Sequence, residues 1–344
     1  MERKKMEAKK EVKNDISSKS NNGDFAVVRE FAGKVLSETK KIMVGKDNEI
    51  KLVLMSILAD GHVLLEDVPG SGKTTLVKVL AKALGLDSGR IQFVPDLLPS
   101  DITGMVIYNQ KTGEFEYREG PVMTNILLAD EINRAIPRTQ AALLEAMEER
   151  QVTIDNKAYS LPEPFLVLAT QNPIEMESTF KLPAAQMDRF LIKLSLGYLK
   201  PHEEVEMLQR LGDRTPLETV EAVTNASEIT TIQRECEKVY LSEKVAAYIV
   251  NLVNKTRDHG DLHLGVSPRG SKALYKASKV WAAMDGRSFV TPDDVKAIAM
   301  PVLLHRIMLT PEARHQGIRP ESIIAKLLET TPVGGDADDV LNEI

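Results

Sequence analysis

Several residue types are scarce in this chain, and each scarcity argues against a class of protein. A single cysteine, Cys236, leaves no partner for an internal disulfide and fits a reducing compartment, so we expect a cytoplasmic protein. No apolar run approaches the roughly 18 residues of a membrane helix, and we expect no membrane span. One tryptophan and 5% aromatic residues give little support for a base-stacking surface. A net charge of −6 argues against a general nucleic-acid surface, although a local basic channel stays open.

What is present is an ordinary globular composition. The residues are 43% hydrophobic and 27% charged. A chain of 344 residues is long enough for two domains. Residues 1–24 are polar and rich in lysine, without the apolar centre of a signal peptide. We therefore expect a disordered tail at 1–24, followed by the folded part of the chain.

The most informative segment lies at residues 62–75, where an apolar run leads into a glycine-containing turn and then into Lys-Thr-Thr. Small residues allow backbone N–H groups to close around phosphates, and the following helix contributes the positive end of its dipole. In such a loop Lys73 reaches the β- and γ-phosphates, and the Thr74 hydroxyl binds Mg²⁺. We predict a phosphate-binding P-loop formed by Pro69, Gly70, Ser71, Gly72, Lys73, Thr74 and Thr75.

One position departs from the usual G-x-x-x-x-G-K-[ST] pattern, because Asp67 stands where the first glycine is expected. Aspartate tolerates strained turn conformations better than most residues. We expect its carboxylate to point away from the phosphates. We also expect Asp67 to be dispensable for nucleotide binding.

Two further apolar runs end in polar residues. Residues 125–129 lead into Asp130 and Glu131, and residues 165–170 lead into Gln171 and Asn172. If both runs are buried strands of a parallel sheet, these side chains meet at its carboxyl edge, where ligands bind. Asp130 would then hold Mg²⁺ through water, Glu131 would orient or deprotonate the attacking water, and Asn172 would position that water.

Strand and helix patterns alternate from about residue 25 to residue 200, which predicts a mainly parallel sheet with helices on both faces. Expected strands lie at 62–66, 91–94, 125–129, 165–170 and 190–196, and expected helices at 25–41, 47–59, 73–84, 137–149 and 183–188. Two hairpin signals, at 105–117 and 151–159, interrupt the alternation. Each hairpin could be a structural addition at the edge of the domain or could have a function of its own.

After Pro201 we expect only helices, at about 201–211, 227–239, 242–258, 270–285, 292–303 and 320–330. The sequence thus predicts an α/β nucleotide-binding core at 25–200 and a small all-helical domain at 201–344.

The chain resembles the MoxR family of AAA+ ATPases over about residues 25–335. The most specific stretch is GPVMTNILLADEINRAIPRTQAALLEAMEERQVT, which begins at Gly120. The runs LVLATQNPIE from Leu166, LPAAQMDRF from Leu182 and SPRGSKAL from Ser267 follow in the order of the family. The resemblance implies a P-loop AAA+ core with a parallel sheet, followed by an all-helical lid.

The resemblance also assigns roles to residues. Lys73 and Thr74 match the Walker A motif, Asp130 and Glu131 match Walker B, and Asn172 matches sensor 1. Val44 and Gly45 match the loop that flanks the adenine, although Lys46 follows where the family usually has glutamine. Arg189 matches the arginine finger that acts on a neighbouring subunit's nucleotide, and Arg269 matches sensor 2, which reaches from the lid to the γ-phosphate. Arg134 and Arg138 follow Walker B closely, and they could form subunit-interface ion pairs or act as a second finger.

By this resemblance the protein is an ATPase that uses ATP and Mg²⁺, forms a homo-oligomer, usually a hexameric ring, and remodels or matures a partner. That partner often carries a von Willebrand A domain. Two alternatives stay open: a nucleic-acid-dependent AAA+ motor, which the acidic charge disfavours, and a nucleotide-dependent scaffold with negligible turnover, which the intact Glu131, Asn172 and Arg189 disfavour.

Overall fold

The computed structural model describes residues 25–67, 70–172, 180–212 and 217–333. Pro69, the tail predicted at 1–24 and the end of the predicted second domain at 334–344 lie outside the described residues. Among the helices that are described, none is long and apolar enough to cross a membrane.

The elements alternate along the first two hundred residues as predicted. The helices are α1 (Phe25–Lys40), α2 (Asp47–Leu58), α3 (Lys73–Leu84), α4 (Pro99–Thr103), α5 (Pro137–Glu149), α6 (Ala184–Met187), α7 (Pro201–Gly212), α8 (Ala226–Glu237), α9 (Glu243–Arg257), α10 (Pro268–Met284), α11 (Pro292–Leu303), α12 (Pro311–His315) and α13 (Pro320–Thr330). The strands are β1 (Val63–Glu66), β2 (Ser88–Gln92), β3 (Gly104–Asn109), β4 (Glu114–Glu119), β5 (Ile126–Asp130), β6 (Gln151–Ile154), β7 (Lys157–Ser160), β8 (Leu166–Gln171), β9 (Ile192–Leu194), β10 (Leu262–Leu264) and β11 (Met308–Leu309).

Five strands form a central sheet in the order β2-β5-β8-β1-β9, and every neighbouring pair is parallel. This confirms the predicted α/β core. Because the strands run the same way, the residues that follow β1, β5 and β8 emerge at one edge of the sheet. The residues that precede β9 emerge at the opposite edge.

Each face of the sheet is covered by its own apolar cluster. Leu64 of β1 and Val167 of β8 pack on one face with Leu143 and Leu144 of α5. Val63 and Leu65 of β1 point to the other face, where α2 and α3 pack. The alternation of side chains along each buried strand therefore sorts the core into two layers.

The helical part of the chain continues the second of these layers. Buried residues of α8, α9, α10, α11 and α13 belong to the same apolar cluster as α1, α2 and α3. Helix α2 has a continuous buried run from Leu52 to Leu58, because α1, α8 and α10 pack around it. The helical part of the chain therefore shares a hydrophobic core with the α/β part.

The expectation that strands stop after Pro201 is wrong in detail. Strands β10 and β11 pair antiparallel as a short ribbon within the lid. Strands of two and three residues are too short for a period-two pattern to be recognised in the sequence.

Both predicted hairpins are present. Strands β3 and β4 pair from Gly104↔Glu119 to Asn109↔Glu114, and β6 and β7 pair around a turn at Asp155 and Asn156. Both turn residues have positive φ, of 48° and 62°, which is the conformation that a tight two-residue hairpin requires.

Candidate functional site

The predicted P-loop joins β1 to α3 and is shaped by two glycines. Gly70 and Gly72 have φ of 84° and 90°, in the left-handed region that favours glycine. Gly72 is the N-cap of α3, and no side chain caps the helix. The Ser71 hydroxyl is buried without a hydrogen-bond partner among the described residues. The loop thus offers free helix-end N–H groups and an unsatisfied hydroxyl, which suits an anionic ligand such as a phosphate.

Lys73 is the first residue of α3 and lies beside this turn. Its ammonium makes a long hydrogen bond of 3.4 Å to the Asp67 carbonyl oxygen. Thr74 follows it, half-buried in the first turn of the helix. Both residues lie at the carboxyl end of β1, as the P-loop prediction requires.

Asp67 has partners that the sequence did not reveal. Its buried carboxylate accepts hydrogen bonds from the backbone N–H groups of Leu196 (2.7 Å) and Gly197 (3.1 Å) and from the Ser195 hydroxyl (3.3 Å). These contacts direct the carboxylate to the segment after β9. Shaping the loop is therefore only part of the role of Asp67, because it also fastens the start of the P-loop to that segment.

The loop predicted to flank the adenine is attached to the same segment. Lys46 is buried, and its ammonium donates to the carbonyl oxygens of Leu196 (2.5 Å) and Tyr198 (3.1 Å). Gly45 has φ of 69°, in the left-handed region that favours glycine, and a Cβ there would displace the carboxylate end of the Glu203 side chain. The unusual Lys46 therefore joins residues 44–46 to the connection between core and lid.

Asp130 and Glu131 lie at the carboxyl end of β5 as predicted, and polar neighbours hold both carboxylates. Asp130 accepts from the Thr170 hydroxyl (2.7 Å) and from Arg90 (2.8 Å). Glu131 accepts from the Gln92 amide (2.7 Å), and its carboxylate also lies 3.1 Å from Nε of Arg134. The oxygens are thereby oriented at the sheet edge.

Asn172 completes this edge. It is buried one residue after the end of β8, and β8 lies between β1 and β5 in the sheet. The structure therefore brings together the loop around Lys73, the two carboxylates after β5 and the amide after β8, as the sequence predicted.

The two predicted arginines lie elsewhere, and one carboxylate joins them. Glu148, near the end of α5, lies 2.9 Å from Nη2 of Arg189 and 2.6 Å from Nη2 of Arg269. Arg189 lies just before β9. The segment between them is attached to the start of β1, because the Leu191 N–H donates to the His62 carbonyl oxygen (2.8 Å). This group of three side chains, Glu148, Arg189 and Arg269, is called the arginine cluster below.

The backbone around the arginine cluster is held by a buried ion pair. Arg306 pairs with Asp188 and donates to the carbonyl oxygens of Asp188 (2.9 Å) and Phe190 (2.6 Å). The Ser267 hydroxyl, the N-cap of α10, donates to the second Asp188 oxygen (2.7 Å). Burial lowers the pKa of Arg306, an effect that the Asp188 carboxylate opposes. Core and lid are thereby joined beside Arg189 and Arg269.

In this structure Arg269 lies away from the P-loop of its own chain, and its predicted role towards a γ-phosphate stays a prediction. The arginine cluster lies at the amino edge of the sheet, and Lys73 follows β1 at the carboxyl edge. Strand β1 alone spans roughly 13 Å between the two edges. Arg269 instead shares its carboxylate partner with Arg189, so the two arginines form one site.

Sequence reasoning did not find Glu148, Asp188, Thr170 or Arg306. Glu148 and Arg269 are 121 residues apart, and Arg306 and Asp188 are 118 apart. Only the packing of α5, β9 and α10 brings these side chains together. The sequence offers one signal for Arg306, which follows a run of apolar residues. Such a run is usually buried, and a buried arginine needs an acidic partner.

The fold and the site define an AAA+ ATPase. Residues 62–192 match the ATPase family associated with various cellular activities, and residues 254–327 match the AAA lid domain. A crystal structure of a candidate ATPase from Cytophaga hutchinsonii superposes with a TM-score of 0.86 at 40% identity, covering 93% of this chain and 100% of that one.

Curated relatives narrow the class to a family. The chain is 51% identical to the Bacillus subtilis protein YeaC over 88% of this chain and 94% of that protein. It is 41% identical to Chaperone MoxR1 of Mycobacterium tuberculosis, over 86% of this chain and 81% of that protein. The chain belongs to the MoxR family of AAA+ ATPases, which confirms the resemblance inferred from its motifs.

Proposed function

We propose that the protein hydrolyses ATP in a ring of identical subunits and uses the cycle to remodel a partner protein. One observation carries this proposal. The residues suited to bind and cleave a nucleotide lie at one edge of the sheet, and the two arginines suited to assist lie at the other. A complete site therefore needs two copies of the chain.

Within one subunit, the proposed pocket supplies binding and proton transfer. The P-loop N–H groups and Lys73 hold the phosphates, and Val44 and Gly45 flank the base. Asn172 positions the attacking water, whose proton passes to the Glu131 carboxylate. The new bond forms at the γ-phosphorus as the bond to the bridging oxygen breaks, and ADP leaves with that electron pair. Gln92 and Arg134 keep Glu131 oriented in the pocket.

The residues present fit a magnesium ion. Thr74 and Asp130 offer oxygen donors on adjacent elements, and Mg²⁺ bound to nucleotides usually takes only one or two protein ligands beside water and phosphate. When bound there, Mg²⁺ neutralises the charge that develops on the phosphates.

In this proposal, ring assembly supplies the positive charge that stabilises the γ-phosphate during cleavage. Arg189 and Arg269 would face the γ-phosphate held by the neighbouring subunit, and an arginine delivered from outside can raise the rate about 10³- to 10⁵-fold in other nucleotide hydrolases. In this proposal the γ-phosphate that Arg269 reaches from the lid belongs to the neighbouring subunit's nucleotide. We propose a hexamer by analogy with the family, in the cytoplasm.

The hairpins are the parts suited to engage a partner. Phe115 is 76% exposed and Tyr108 55% exposed at the β3-β4 tip, where their rings contact each other at 5.3 Å. The relative from M. tuberculosis bears the name chaperone. We propose that the partner is a protein, with a von Willebrand A domain as the first candidate.

The test is nucleotide binding and turnover by purified protein. We expect Lys73→Ala to abolish ATP binding in calorimetry, because the phosphates lose their main cationic side chain. We expect Glu131→Gln to bind ATP but scarcely hydrolyse it, since the amide cannot accept the proton. The control is Lys78→Ala, which removes the same charge from the exposed side of α3. ATP binding by Lys73→Ala that equals the control contradicts the proposal, and a turnover stimulated by DNA alone favours the nucleic-acid motor.

A further inference from the structure

Glu148 has no role in the proposed chemistry, yet it contacts both arginines. Each of its carboxylate oxygens meets one guanidinium: Oε2 meets Arg189 and Oε1 meets Arg269. Each contact uses only the Nη2 group of that arginine. A guanidinium carries five N–H donors, so both arginines keep donors for another anion. In Arg189, the buried Nε has no hydrogen-bond partner among the described residues.

The helix end that carries Glu148 is fixed to the sheet. The His62 Nδ1 accepts from the Val167 N–H (3.0 Å), which leaves the proton on Nε2 to be donated to the Met147 carbonyl oxygen (3.1 Å). Burial lowers the pKa of His62 to about 3, so the ring stays neutral and this arrangement persists near neutral pH. Glu148 therefore projects from a rigid support.

The residue after the helix adds a second anchor. Arg150 is the C-cap of α5 in the left-handed conformation, with φ of 55°. Its guanidinium donates to the carbonyl oxygens of Phe165 (2.6 Å) and Asp60 (2.9 Å) at the amino edge of the sheet. Glu148 is thus held between two anchored residues, although its own side chain is 39% exposed.

Charge explains what the shared carboxylate does. Two guanidinium groups that both lie within 3 Å of one carboxylate repel each other, and the negative charge between them offsets this repulsion. Arg189 belongs to the core and Arg269 to the lid. Without Glu148 this offset is lost, and we expect the repulsion to drive the two guanidinium groups apart.

We propose that Glu148 is a positioning residue that holds Arg189 and Arg269 side by side, so that both address one phosphate group of the neighbouring subunit's nucleotide. This inference rests on the proposed function, in which both arginines act across the subunit interface. Glu148 itself touches neither nucleotide nor water. It acts through the two arginines.

The test is Glu148→Gln in the assembled protein. Glutamine keeps the size, but in the same geometry its amide oxygen faces one arginine and its NH₂ group turns a donor towards the other. We expect kcat to fall about five- to tenfold, a modest loss because the cluster is partly exposed. The KM for ATP and the affinity of the subunit for ATP should stay unchanged, because the nucleotide pocket lies at the other edge of the sheet.

Glu149→Gln is the matched control. It makes the same charge change on the next residue of α5, which is exposed, and we expect parental kinetics. A second comparison uses the Arg269→Ala background, where there is no pair left to hold. There we expect Glu148→Gln to lower kcat by less than it does in the parent.

The outcomes separate the two proposals. If Arg189→Ala and Arg269→Ala lose activity but Glu148→Gln matches Glu149→Gln, the role of Glu148 is overturned and the proposed function stands. An unchanged kcat with a raised KM also overturns it, since that pattern indicates a binding residue. If both arginine variants keep full turnover, both proposals are wrong.

Discussion

At the scale of single residues, Asp67 shows how a departure from a motif can have a structural reason. A glycine at this position would leave the backbone N–H groups of Leu196 and Gly197 without their present acceptor. Lys46 holds the same segment from its other side through the Leu196 carbonyl oxygen. The P-loop, the base-flanking loop and the connection to the lid are therefore tied together through two buried charges of opposite sign.

We expect Asp67→Asn to destabilise the protein by about 1–3 kcal/mol, because its amide nitrogen turns a donor towards backbone N–H groups that need an acceptor. The measurement is the free energy of unfolding from denaturant titration. Asp87→Asn is the control, since Asp87 is exposed and its carboxylate makes no hydrogen bond among the described residues. An Asp67→Asn value within about 0.5 kcal/mol of the control would show that these hydrogen bonds contribute little.

At the scale of elements, the two hairpins act as one projection. Tyr117 of β4 stacks on Tyr159 of β7, with ring centroids 4.1 Å apart and an angle of 30° between the rings. The Tyr117 hydroxyl also donates to the Thr103 carbonyl oxygen at the end of α4 (2.5 Å). Strand β6 follows α5 directly, so the helix that carries Glu148 leads into this projection.

Replacing Lys111–Gly113 by a shorter turn should leave ATP affinity and basal turnover within about twofold of the parent, because the β3-β4 tip is remote from the P-loop. Partner capture by the ATP-bound Glu131→Gln protein should fall when the tip is shortened. Calorimetry, phosphate release and quantitative pull-down with the full-length hairpin as reference measure these effects. Loss of ATP binding in a folded variant would assign the hairpin to the nucleotide pocket instead.

Most elements could be predicted from sequence because their apolar periodicity is strong. Helices α3 and α5 have the predicted bounds, 73–84 and 137–149. The sequence predicts strand β2 at 91–94, but the strand spans Ser88–Gln92, since an edge strand with polar residues lacks the continuous apolar run of a buried one. The carboxyl-edge residues were predictable for a similar reason: a parallel sheet brings strand ends together whatever the details of packing.

The arginine cluster could not be predicted in the same way. The motif around Arg269 gives its place in the lid but not the direction in which the lid packs. That direction follows from the apolar faces of α1 and α2, which bury α8 and α10 against the core. The shared partner of Arg189 and Arg269 thus depends on tertiary packing, because Glu148 and Arg269 lie 121 residues apart in the chain.

At the scale of the whole molecule, the account rests on the separation of pocket and arginines. Each subunit presents a nucleotide pocket at the carboxyl edge of its sheet and a pair of arginines at the amino edge. Such a head-to-tail surface closes into a ring when the rotation between neighbours allows it. If the proposed function holds, assembly and hydrolysis are coupled by geometry, since Arg189 and Arg269 lie at the edge of the sheet opposite the P-loop of their own subunit.

The most direct test mixes two inactive proteins, Arg189→Ala and Glu131→Gln. The first keeps an intact pocket and the second keeps an intact finger, so random mixing at equal amounts makes roughly a quarter of the interfaces complete. A chain that carries both changes, mixed with Arg189→Ala, is the control, because no interface then combines both parts. Native mass spectrometry confirms mixed assemblies, and phosphate release measures turnover. We predict partial recovery of ATPase activity in the first mixture and none in the control. Confirmed mixed assemblies without recovery, or full activity of Arg189→Ala alone, would contradict the account.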